Sequence, residues 1–314
     1  MTARPDAASL EAARAGLAGI AERTPLLDVP GYPHPVRLKA EHLQPIAAFK
    51  IRGAWTAISR LDPAERARGI VTSSSGNHGY AVAWAAHRLG VPAIVVMPEN
   101  TAQVKQDNVR SVGGEVRLVG ATRGPEQQAA ADEIAARDGL VMIPPYDHPD
   151  VIAGQATCAM EILEEWPDVT TLVVGCGGGG LLAGTCLAVE ASGRDIRVVG
   201  VEPEQVPKLS MARAAGHPAE VSGGTSLADG MLTRSVGQLT WPIIAPVLDE
   251  VIGVSDDDLR AAMRALADLG VRAEPSGAAP MAALVSGRLV LDGPTAMIVS
   301  GGNVDPSRYA RLVA

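Results

Sequence analysis

Three short segments of this chain concentrate residues that can bind anions or carry protons. One runs Gly175-Cys176-Gly177-Gly178-Gly179-Gly180-Leu181, five glycines in six positions directly after an apolar run. Consecutive glycines let backbone N–H groups turn into one concavity, and a following helix adds the positive end of its dipole, which suits a phosphate. A tight strand-to-helix turn could use glycine for backbone freedom alone, but it does not need so many. Gly175, Gly177 and Gly180 also satisfy G-x-G-x-x-G, and the next apolar run ends in Glu202. That is the layout of a dinucleotide fingerprint with its ribose-binding acid, so a nicotinamide or flavin enzyme is open on this loop alone.

The second segment is Ser73-Ser74-Ser75-Gly76-Asn77-His78-Gly79. Hydroxyls, an amide, an imidazole and free backbone donors at a helix start suit a small carboxylate. Ser and Asn are also common helix caps, but one cap needs only one of them. The third, Ser300-Gly301-Gly302-Asn303-Val304-Asp305, again puts a hydroxyl and flexible backbone after an apolar run, and alone it reads equally well as a glycine-rich turn. Ahead of all three lies Lys50, beside the chain's only phenylalanine, Phe49, and flanked by Ile46-Ala47-Ala48 and Ile51. Most lysines are solvated, whereas an apolar setting lowers the pKa of an amine and makes it a nucleophile or base.

These segments need a frame that brings strand ends together. Short apolar runs predict strands over 36–40, 69–72, 93–97, 115–119, 140–143, 171–175, 197–201 and 295–300. Amphipathic stretches predict helices over 79–89, 102–111, 127–137, 151–165, 181–191 and 256–269. Their alternation predicts an α/β fold of βαβ units with a largely parallel sheet, where ligands collect beyond the carboxyl ends of the strands. Residues 144–149 read as a crossing segment between two halves, and 207–226, with its Gly and Pro, as an irregular connection.

Composition narrows the classes. The chain has 314 residues, 47% hydrophobic and 20% charged, which is ordinary for a globular protein. A net charge of −8 gives no footprint for nucleic acid. Cys158, Cys176 and Cys186 form no metal-ligand spacing or disulfide framework. No apolar run reaches membrane-span length, and the acidic residues near the start do not suit a signal peptide, so the expectation is a cytoplasmic protein.

The segments occur together and in a recognisable order. Arg23-Thr24-Pro25-Leu26, Lys39 with Glu41, Leu43 and Gln44, and Phe49-Lys50-Ile51-Arg52-Gly53-Ala54 come first. Ser74-Ser75-Gly76-Asn77-His78-Gly79, Pro149-Asp150-Val151-Ile152-Ala153-Gly154-Gln155, the glycine loop and the Ser300–Asp305 segment follow. The whole, from Arg23 to Asp305, resembles the serine/threonine dehydratase and serine racemase family. These are tryptophan-synthase-β-like, fold-type II pyridoxal-phosphate enzymes. The dinucleotide reading explains one loop and leaves the others idle.

The resemblance implies pyridoxal 5'-phosphate as cofactor, carried covalently by Lys50, which also moves the substrate's α-proton. It places Phe49 by the cofactor ring, Asn77 at the ring oxygen, Gly177, Gly178, Gly179 and Gly180 around the phosphate, and Ser300 at the ring nitrogen. It places Ser74, Ser75, Asn77 and His78 on the substrate carboxylate, and Glu274 facing the cofactor. It implies a small domain over 66–146 inserted into a large one made of 1–65 and 147–314, and a homodimer. The expected activity is a dehydratase (ammonia-lyase) acting on threonine, serine or 3-hydroxyaspartate. An amino-acid racemase is the alternative, with Ser75 as a second base; a nicotinamide-binding oxidoreductase or a non-catalytic binding relative is more distant.

Departures from the family pattern carry information too. Ile46-Ala47-Ala48 stands where Thr-Gly-Ser is common, and this loss of two polar groups is expected to bear on substrate preference. Tyr80 replaces the usual glutamine. In metal-dependent relatives a glutamate at the position of Glu202 shares a divalent ion with an aspartate, but here Lys208 stands in the aspartate's place. A lysine brings its own charge and cannot ligate a hard cation, so no metal is expected and Lys208 is expected to pair with Glu202.

Overall fold

Val- and Ile-rich runs form the strands of a computed structural model that describes residues 4–121 and 124–314. Residues 1–3, part of the N-terminal stretch read above, lie outside them. Ten strands occur among the described residues: β1 (Leu26–Val29), β2 (Val36–Lys39), β3 (Ile70–Ser73), β4 (Ala93–Met97), β5 (Glu115–Leu118), β6 (Val141–Met142), β7 (Thr171–Gly175), β8 (Arg197–Pro203), β9 (Leu248–Val254) and β10 (Thr295–Ile298). They make a six-stranded sheet, β1-β2-β10-β7-β8-β9, and a four-stranded sheet, β5-β4-β3-β6. Only β1 pairs antiparallel, and every other ladder is parallel. The strands of the smaller sheet all fall between Ile70 and Met142, while both ends of the chain build the larger one.

Parallel strands buried on both faces read as unbroken apolar runs, which is why β7 and β10 are legible in the sequence. The edge strands β1 and β9 were not expected. Each has one neighbour and carries acids, Asp28 in one and Asp249 and Glu250 in the other, which hide the apolar pattern. The 207–226 stretch is not wholly irregular, because a helix spans Lys208–Ala215. The carboxylate of Glu202, at the end of β8, accepts from the backbone N–H of Leu209 and Ser210 and so caps that helix from a distance. No local sequence pattern announces a cap of that kind.

Three helices set the distance between Lys50 and the glycine loop. Lys50 opens the helix Lys50–Ser59, which packs on Pro149–Glu165, and that helix packs in turn on Gly180–Ser192. The approaches are close because glycines sit at the crossings. A Cβ on Gly154 would lie 2.4 Å from the Arg52 carbonyl oxygen, and one on Gly184 would lie 2.6 Å from the Ala156 nitrogen. A buried charge cluster locks the first crossing. Arg52 donates to both oxygens of Glu41 and both of Glu161, and Lys39 meets Glu161 at 2.7 Å. Two cations face two carboxylates, the balanced form in which buried charge is tolerated. Burial alone would raise the pKa of Glu41, but the Arg52 guanidinium, the Thr24 hydroxyl and Lys39 together outweigh it and hold the carboxyl below its usual range.

Candidate active site

The carboxyl ends of β3, β7 and β10 converge on one cavity of about 430 Å³ between the two sheets. Phe49, Lys50, Ser74, Ser75, Asn77, His78, Gly177, Gly178, Gly179, Gly180, Glu274 and Ser300 all line it. Residues as far apart in sequence as Phe49 and Ser300 are thus brought together.

Two loops are zipped side by side to place the lysine. The backbone N–H of Phe49 donates to the Ser300 oxygen at 3.1 Å, Ala48 bridges Gly301, and Gly302 N–H donates to the Ala47 oxygen. Lys50 Nζ donates to the Pro145 oxygen at 2.7 Å and lies 5.0 Å from the Phe49 ring centroid. Ala47, at φ 53°, is the only non-glycine residue with positive φ among the described residues. It stands where the family pattern has glycine. Ile46 and Ala48, expected to bear on substrate preference, are instead buried in the apolar core with Ile51 and Ala54 and do not line the cavity.

The glycine loop needs its glycines. A Cβ on Gly178 would lie 2.3 Å from the Tyr146 ring, and Gly179 has φ 95°. Thr240 Oγ1 and Gly237 N–H both donate to the Gly178 carbonyl, which holds that peptide in one orientation. The N-cap of the following helix Gly180–Ser192 is Gly179, so no side chain caps its first turn. Such a start leaves backbone donors and a positive dipole end for an anion. Tyr146 was missed as a site residue, because 144–149 reads only as a crossing segment.

At the end of β3 the helix Asn77–Leu89 starts from Gly76, so the loop hydroxyls are not consumed as its cap. His78 Nε2 faces the Ile143 oxygen at 3.0 Å. A carbonyl only accepts, so Nε2 carries the proton and Nδ1, buried, has no hydrogen-bond partner. Burial and then the nearby Lys50 push the imidazole down to about 3, so it is neutral. Glu274, buried at the head of the helix Pro275–Val285, accepts from Asn77 Nδ2 at 2.6 Å rather than capping its helix. Burial and then Asp229 push its carboxyl up to about 8.

Glu202 does not reach this cavity. It is buried, and its oxygens accept from Leu209 N–H, Ser210 N–H and the Ser210 hydroxyl, so it is not placed to read a ribose. Lys208 Nζ stands 3.8 Å from it. No cluster of three or more His, Cys, Asp or Glu side chains suited to a metal occurs among the described residues. No helix among them is long and apolar enough to cross a membrane.

Comparison with known proteins agrees with this geometry. The family described as pyridoxal-phosphate dependent enzyme matches residues 17–301, and the chain belongs to it. Over 279 residues the chain is 37% identical to an L-threonine ammonia-lyase of Thermotoga maritima, covering 88% of this chain and 69% of that protein. It is 38% identical to an L-threo-3-hydroxyaspartate ammonia-lyase of Saccharomyces cerevisiae, covering 89% and 86%. The structure of maize serine racemase superposes with a TM-score of 0.94 at 33% identity, covering 98% of this chain and 97% of that one.

The residues present fit this cofactor. A glycine cradle with no room for side chains, an uncapped helix start and a lysine amine share one cavity. The protein is a pyridoxal-phosphate-dependent enzyme.

Proposed function

We propose that the protein is an ammonia-lyase that converts a β-hydroxy amino acid (threonine, serine or 3-hydroxyaspartate) to a 2-oxo acid and ammonia. The observation that carries this reading is the shared cavity: Lys50, the glycine loop and the Ser74–Ser75 helix start all face it. The names of the Thermotoga maritima and Saccharomyces cerevisiae relatives support the same chemistry.

In this reading Gly177, Gly178, Gly179 and Gly180 hold the phosphate, Phe49 packs on the ring and Glu274 faces it. The bound cofactor supplies electron withdrawal at the substrate's α-carbon. Lys50 anchors it and takes the α-proton at Nζ. Ser74, Ser75 and the backbone N–H groups of Asn77 and His78 hold the substrate carboxylate. The His78 ring, neutral and with its one N–H on Ile143, adds no cation there. Asn77 offers an amide N–H to the ring oxygen. Ser300 gives the ring nitrogen a hydroxyl, which does not hold a proton as a carboxylate would. Charge at the α-carbon is therefore kept low, which favours departure of the β-hydroxyl as the proton leaves.

Residues 66–146 act as a small domain that closes on substrate and excludes water, against a large domain of 1–65 and 147–314. A homodimer and a cytoplasmic location complete the reading. Amino-acid racemisation is the second reading, motivated by Ser75, a hydroxyl lining the same cavity as Lys50, and by the likeness to maize serine racemase. Purified protein is expected to show a visible absorption band that disappears in Lys50→Ala, and a colourless wild type would refute the proposal. A panel of β-hydroxy amino acids, followed for both 2-oxo acid and optical rotation, separates lyase from racemase.

A further inference from the structure

The amide of Asn77 is held from both ends. Its Nδ2 donates to Glu274 at 2.6 Å, and its Oδ1 accepts from Asn303 Nδ2 at 2.9 Å. Asn303 Nδ2 also donates to the backbone oxygen of Ile46 at 2.8 Å. The two ends of an amide are nearly alike in shape, and its sense is set by its partners. Here the Ile46 oxygen decides. A carbonyl only accepts, so Asn303 must turn its NH2 that way. The same NH2 meets Asn77, which must answer with oxygen, and the nitrogen of Asn77 is left for Glu274. One main-chain carbonyl thus sets the donor and acceptor sense of three side chains in a row.

We infer that Asn303 is a positioning residue, acting through Asn77 to keep an N–H of that amide available to a ligand in the cavity. The inference rests on reading that cavity as the pyridoxal-phosphate site. The NH2 of Asn77 has two hydrogens, and with one on Glu274 the other serves the cavity that Asn77 lines. Without Asn303 the amide could turn over. Glu274, with its proton held up to about pH 8, can donate to an oxygen as well as accept from a nitrogen. Asn303 also ties the amide to the lysine, because Ile46 belongs to the segment that leads into Lys50.

The test compares Asn303→Ala with Asn303→Asp, titrating pyridoxal phosphate into cofactor-free protein and recording affinity and the visible band. Thermal melting of each cofactor-free variant reports folding. A carboxylate at 303 only accepts, so it repels both the Ile46 oxygen and Asn77 Oδ1 and forces the amide over. Loss of one hydrogen bond is expected to weaken binding by about threefold to tenfold in Asn303→Ala. Asn303→Asp is expected to bind more weakly still, with a shifted band. Asn303→Asp binding as well as Asn303→Ala, with the wild-type band, would overturn the inference. Should Asn303→Asp not fold, Asn303→Ala carries the test, and wild-type affinity and band in that variant would overturn it. Wild-type protein that takes up no pyridoxal phosphate would instead defeat the reading of the site, so the two failures are distinguishable.

Discussion

Lys208 Nζ and Glu202 Oε2 stand 3.8 Å apart at the end of β8, with side chains 0% and 1% exposed. Three donors from Leu209 and Ser210 hold the carboxylate in place, and burial depresses the pKa of the lysine. A cation built into the chain thus sits beside Glu202. Turnover after exhaustive chelation is expected to equal turnover with added magnesium. Lys208→Ala leaves Glu202 hydrogen-bonded but without its counter-charge, and is expected to cost on the order of 1–3 kcal/mol in denaturant unfolding.

Ala47 carries a left-handed backbone that a Cβ disfavours. Ala47→Gly is expected to stabilise the protein by about 1 kcal/mol, because the strain relieved exceeds the extra freedom glycine gives the unfolded chain. An unfolding midpoint at or below wild type would contradict this.

Gly178→Ala drives a methyl into the Tyr146 ring. Relief requires moving either the ring or the loop, and overpacking of this kind costs about 1–3 kcal/mol. Cofactor affinity is expected to fall much more than the melting temperature of cofactor-free protein. Gly178→Ala with Tyr146→Ala, which clears the clash, should recover part of that affinity.

Glu274 couples the site to pH. The folded protein keeps its proton up to about 8, whereas an unfolded glutamate releases it near 4.5, so folding binds a proton across that interval. Stability of the cofactor-free protein should therefore fall as pH rises through this window, by an amount on the order of 5 kcal/mol. Glu274→Gln keeps an oxygen for Asn77 and cannot ionise, so its unfolding free energy should lose that slope.

What the sequence made legible was whatever rests on local pattern. The alternation of apolar runs and amphipathic stretches anticipates the central strands, and glycine or serine clusters mark the loops that meet in the cavity. Side chains whose role depends on distant partners were not legible. Tyr146 matters because its ring covers Gly178, and Asn303 because it lies between Ile46 and Asn77. Ile46 and Ala48 are a related case. Their loss of polarity made a substrate preference drawn by analogy insecure, and the fold turns both side chains into the core. The helix Pro275–Val285 escaped notice because it is buried all round and contains Pro280, so it shows no polar face.

The zipper between the segment before Lys50 and the loop after β10 has a consequence for biosynthesis. β10 lies between β2 and β7, so the larger sheet is discontinuous until residues near 300 have arrived. A growing polypeptide on the ribosome can fold its four-stranded half early, but its lysine stays unplaced until the last strand threads into the middle. Cofactor capture must then wait for that strand, and translation products cut short before Ser300 should be unable to take it up.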